Sequence, residues 1–110
     1  MKDLRRYIIG EFKKDSVYLK KEIKKTERNA TLVRSGKSVS FMVVVSPHPR
    51  IAYDKGITAE DFYGKTIKEA KENAAKFKEE CSGSIKAVYA VINETRAKII
   101  LPKKLWKGGS

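Results

Sequence analysis

Few residues in this chain are of the types that do covalent chemistry, and their spacing does not bring them together. There is one histidine, His48, held between Pro47 and Pro49, and one cysteine, Cys81. A general base needs an orienting partner and a nucleophile within hydrogen-bond reach. Nothing near His48 in sequence supplies either, so it reads as a loop histidine on the surface. Cys81 continues an apolar helical stripe and reads as a buried, inert thiol. One cysteine closes no disulfide, and with one histidine it falls short of a zinc ligand set. No metal and no other cofactor is expected. Asp54, Glu60 and Asp61 cluster at a predicted helix start. They have the makings of an acid/base pair, but acidic residues in a first helical turn are expected from the helix dipole alone, and capping is the reading taken. Ser35-Gly36-Lys37-Ser38 has the ending of a phosphate-binding loop. The position five residues before Gly36 is Thr31, where that motif needs glycine, and a strand follows where it needs a helix. The segment is read as a tight turn, and the chain as non-catalytic.

What the sequence does hold in quantity is positive charge. Lys plus Arg number 25 against 13 acidic residues, for a net charge of +12. Such a charge repels itself in a folded chain and calls for an anionic partner. Residues 1–50 carry 13 basic and 5 acidic residues, so most of the excess lies in the first half. Arg5, Arg6, Lys20, Lys24, Arg28, Arg34 and Lys37 are the candidate contacts there, with Tyr18 interleaved as a stacking group. Lys103, Lys104 and Trp106 form a second cluster near the end. Cations for phosphates and aromatic rings for bases are the ingredients of a single-strand or RNA-binding surface.

The elements that would position these residues follow from periodicity. The 110 residues fit one domain, 1–107, with Gly108-Gly109-Ser110 as a flexible tail or a cloning remnant. In residues 5–12, Leu4, Ile8 and Phe12 fit a helical stripe, but Gly10 and the Tyr7-Ile8-Ile9 run favour a strand, and strand is the expectation. Residues 16–25 alternate as a half-buried strand with Lys20 and Lys24 on its wet face, and 30–34 form another strand. Residues 38–46 (SVSFMVVVS) carry the strongest strand signal, stopped by Pro47-His48-Pro49. The spacing of Ile67, Ala70, Ala74, Phe77 and Cys81 predicts the one main helix within 58–81, with start signals at Thr58–Asp61 and Thr66–Glu69. Residues 85–92 and 96–101 read as a closing hairpin. The expected fold is α+β: an antiparallel sheet of five to six strands packed on one helix, in the order strands, helix, hairpin.

With no apolar run near the ~20 residues of a membrane span and no signal-peptide core, the expected location is cytoplasmic. The first functional expectation is a non-catalytic nucleic-acid-binding protein for RNA or DNA, using a basic sheet face. The 19 lysines against 6 arginines favour backbone contact over base readout. The alternative is an interaction or inhibitor protein that covers an acidic surface of a larger protein. The apolar outer face at Met42 and Val44 would suit it, or would suit homodimerisation. A binder of a phosphorylated small ligand ranks third.

Overall fold

The computed structural model describes residues 2–14, 20–36 and 38–107. Tyr18, Lys37, the first part of the strand expected at 16–25, and the tail 108–110 lie outside the described residues. Four helices and four strands follow in the order α1 (Lys2–Lys14), α2 (Lys20–Ser35), β1 (Val39–Ser46), α3 (Pro49–Lys55), β2 (Glu60–Gly64), α4 (Ile67–Glu80), β3 (Ser84–Ile92) and β4 (Ala97–Ile100). A 3₁₀ turn, Lys103–Leu105, closes the described chain. The strands form one antiparallel sheet in the order β2-β1-β3-β4. The fold is α+β as expected, with four strands where five to six were expected and three helices beyond the main one.

Most of the corrections fall in the first third of the chain. Residues 5–12 belong to a helix, because Leu4, Ile8 and Phe12 recur every four residues and all three are buried in the core. That stripe outweighs the strand preference of Tyr7-Ile8-Ile9 and the cost of Gly10. The described part of the strand expected at 16–25, and the strand at 30–34, both lie in α2. Its buried residues, Thr26, Asn29, Ala30 and Val33, follow helical spacing. Two of the four are polar, so the stripe does not register as hydrophobic periodicity. Asn29 is satisfied from outside its helix: its Oδ1 accepts from Thr95 Oγ1 at 2.7 Å. The start signal at Thr58–Asp61 opens no helix, since Glu60–Gly64 pairs with β1 as an edge strand.

Elsewhere the expected elements form. β1 ends at Ser46, and Pro49 occupies the first turn of α3. Thr66 caps α4, its Oγ1 accepting from Glu69 N at 3.0 Å. Ile67, Ala70, Ala74 and Cys81 are buried, with Phe77 half-buried against the core and its ring centroid 5.5 Å from that of Phe62. The β3–β4 hairpin is present, and Lys86 lies where the β1–β3 register shifts between Val44 and Val45.

One core holds these elements together. Phe41, Val43 and Val45 of β1, Val88, Ala90 and Ile92 of β3 and Ile99 of β4 share a sheet face, and Leu4, Ile8 and Phe12 of α1, Val33 of α2 and Ile67, Ala70 and Ala74 of α4 join the same cluster. These three helices thus lie on one side of the sheet. Gly64 permits the close packing of β2 on α4: a Cβ there would sit 2.4 Å from the backbone N of Ala70.

Two glycine substitutions should therefore have opposite signs. Gly64→Ala forces backbone against backbone and should cost about 1–3 kcal/mol or more, as overpacking does. Gly10→Ala adds a methyl that meets nothing within 4 Å in the middle of α1. It should stabilise by about 0.5–1 kcal/mol through helix propensity and a less flexible unfolded chain. Urea titration of the two variants beside the parent measures both.

Candidate nucleic-acid interface

The basic residues of the first half come to lie on two packed helices. Within α1 and α2 eleven basic residues stand against four acidic ones, so this helical pair carries +7 of the net +12. By contrast α4 has four lysines and four glutamates and is neutral. Lys20, Lys24 and Arg28 recur every fourth residue along α2 and are all exposed. At 1.5 Å rise per residue they line about 12 Å of one helix face. The shared face expected for Lys20 and Lys24 is therefore kept, with helical spacing as its cause. Lys21 and Lys25 lie one position round the same helix and are also exposed.

On α1, Arg5 and Arg6 are exposed, and the Arg5 guanidinium lies beside Gly36, the left-handed residue (φ 71°) that follows α2. Arg34 is exposed in the last turn of α2, where a cation complements the helix dipole. Lys14 and Arg28 each have an acidic neighbour. Lys14 Nζ lies 3.0 Å from Glu11 Oε1, and this hydrogen bond holds the ammonium above its usual pKa. Arg28 is paired with Glu94 in the β3–β4 turn. That pair and the Thr95–Asn29 hydrogen bond tie α2 to the far end of the hairpin.

The C-terminal cluster is built differently. Lys103 and Lys104 are exposed on the 3₁₀ turn, apart from α1 and α2 in the chain. Trp106 is half-buried against the core, its Nε1 donates to Leu101 O at 2.8 Å, and its carbonyl accepts from Lys71 Nζ at 2.7 Å. This indole acts as an anchor for the turn, with much of its surface already covered.

Of the residues singled out for possible chemistry, His48 and Cys81 have structural roles. His48 caps α3, its Nδ1 accepting from Arg50 N at 3.2 Å, while its own N–H donates to the carbonyl of Cys81 at 3.0 Å. Cys81 is buried at the end of α4. Asp61 and Glu60 lie on edge strand β2, and Asp54 is exposed on α3.

A second surface was only partly legible in sequence. The sheet face opposite the helices carries Tyr63, Met42, Tyr89 and Ile100 in one cross-strand row. Met42 was recognisable from strand alternation. The tyrosines became its neighbours only through strand pairing. No family model matches the chain, and neither does a curated protein or a solved structure.

The Arg28–Glu94 pair is solvent-exposed on both sides. Glu94→Gln should therefore change stability by less than about 1 kcal/mol, as read by urea titration, while it releases the Arg28 guanidinium.

Proposed function

We propose that the protein is a non-catalytic nucleic-acid-binding protein whose phosphate contacts come from α1 and α2. The observation that carries this reading is the concentration of exposed cations on that helical pair, with Lys20, Lys24 and Arg28 in line on α2. Like charges spaced along one helix face destabilise it, and a polyanion laid along the face converts that repulsion into attraction. Lysine dominates the set, so the contacts act as point charges on the sugar-phosphate backbone and read little sequence. Lys103 and Lys104 offer further exposed cations on the 3₁₀ turn. No described helix is long and apolar enough to cross a membrane, and the proposed setting is cytoplasmic, where RNA and DNA are both accessible to a small basic protein.

The test is a salt titration of binding to labelled RNA and DNA with the parent and the double variant Lys20→Glu/Lys24→Glu. Affinity for the parent should fall steeply with salt as counterions are released, with each lost phosphate contact lowering the log–log slope by about 0.9 for duplex DNA. The double variant should stay folded by circular dichroism, lose at least about tenfold in affinity at 0.1 M salt, and show a slope smaller by about 2. A folded double variant that binds as tightly as the parent removes α2 as the interface. Binding to an acidic protein surface, with no affinity for RNA or DNA, would instead establish the alternative class of partner.

A further inference from the structure

One face of the sheet is buried under α1, α2 and α4; the residues of its opposite face stand outside that core cluster, and they are not all polar. Cross-strand pairing sets Tyr63 of β2 beside Met42 of β1, Met42 beside Tyr89 of β3, and Tyr89 beside Ile100 of β4. Every strand contributes one residue to this row. Met42 is 3% exposed, whereas Tyr63 is 50% and Ile100 57% exposed. None of the four belongs to the main core cluster. The methionine is thus a floor between two tyrosines, and the row ends in an aliphatic side chain open to solvent.

Charge is unequal on the two sides of this row. Asp61, Val44 and Ala87 form the neighbouring row on one side; Ser40, Val91 and Lys98 form it on the other. At the second edge Ser40 Oγ donates to Asn93 Oδ1 at 2.7 Å. Within these two rows Asp61 repels an anion and Lys98 attracts one; exposed Lys86, at the bulge beside Ala87, lies outside both rows.

We infer that this open sheet face is a base-stacking platform for single-stranded nucleic acid, with bases on Tyr63 and Tyr89 and the backbone along the Ser40–Lys98 side. The inference rests on the nucleic-acid reading above and adds the form of the ligand. Adjacent strands lie about 4.8 Å apart, so Tyr63 and Tyr89 stand about 10 Å apart across Met42, with Ile100 about 5 Å beyond. Unstacked bases of a single strand can lie on such rings, whereas the bases of a duplex are already stacked on one another. A second copy of the chain is the poorer occupant. Four strands by about five residues give a face of roughly 300 Å², against about 800 Å² per partner in a standard stable interface.

The experiment measures binding of the full chain to labelled 12-nucleotide oligo(U) and oligo(dT), and to a matched duplex, by fluorescence anisotropy. Tyr63→Ala and Tyr89→Ala should each weaken single-strand binding by roughly 5- to 150-fold, the range for loss of one stacked base, and leave duplex binding within about twofold. Tyr63→Phe and Tyr89→Phe should restore it, because the ring stacks without its hydroxyl. Asp61→Asn, at an exposed edge position, should tighten single-strand binding and Lys98→Ala should weaken it. This pair keeps the test decisive if Tyr89→Ala fails to fold. The platform is overturned if folded tyrosine-to-alanine variants bind single strands like the parent, or lose single-strand and duplex binding alike. It is also overturned if sedimentation shows a dimer that these substitutions dissolve. In the first case continued sensitivity to Lys20→Glu/Lys24→Glu keeps the helical interface standing. Absence of any nucleic-acid binding by the parent rejects both readings.

Discussion

The burial of one face of β1 governs the rest of this structure. Val43 and Val45 are fully buried, and Phe41 is buried with them. The sheet forms around this strand, with β2 on one side and β3 on the other. All the buried helix stripes in the core cluster meet this same face. Helix α4 approaches closely because Gly64, Ala70 and Ala74 present little or no side chain at the contact, and Phe62 and Phe77 fill the space beyond. One consequence is asymmetry. With α1, α2 and α4 burying their stripes against one side of the four-stranded sheet, the residues of the opposite side stay outside that core. Met42 lies on that opposite side, flanked in its row by Tyr63 and Tyr89.

The same layering sorts the charge. The helix with the most intimate contact to β1 and β2 is neutral on balance, its lysines and glutamates mixed along the exposed face. The excess sits on α1 and α2. Apolar residues join both to the core, and α2 is also tied to the β3–β4 turn, where Glu94 meets Arg28 and Thr95 meets Asn29. An exposed ion pair contributes little by itself. The buried Asn29 matters more, since an unsatisfied amide in that position would cost about 1–3 kcal/mol. The placement of α2 thus depends in part on a short turn that closes a hairpin on another layer of the molecule.

Much of the last two thirds of the fold was legible in sequence. The 38–46 strand, the 3–4 spacing from Ile67 to Cys81 with its Thr66 cap, and the closing hairpin each carry a local signal that agrees with the packing around it. The first third misled for a physical reason. Tyr7-Ile8-Ile9 and Gly10 favour a strand locally, but a helix there places Leu4, Ile8 and Phe12 on one buried face. In α2 the stripe contains Thr26 and Asn29, whose burial is tolerable only because a partner such as Thr95, far away in sequence, is in place. A hydrophobic pattern search passes over such a helix. Of the candidate contacts, the cations of residues 5–34 gather on α1 and α2, whereas Trp106 is committed to anchoring its turn.

By itself, then, the sequence determined an α+β chain with a strongly basic first half, a β-rich centre, a neutral amphipathic helix and a terminal hairpin. Those properties depend on composition and on contacts within a few residues. Tertiary structure decided that the basic residues ride on helices, that these helices and α4 share one side of the sheet, and that Tyr63, Met42, Tyr89 and Ile100 become neighbours. The row draws on four strands separated by loops and helices, and its register is set by pairing across the sheet. Local sequence specifies which way each side chain alternates along its own strand; only the assembled sheet specifies what stands beside it.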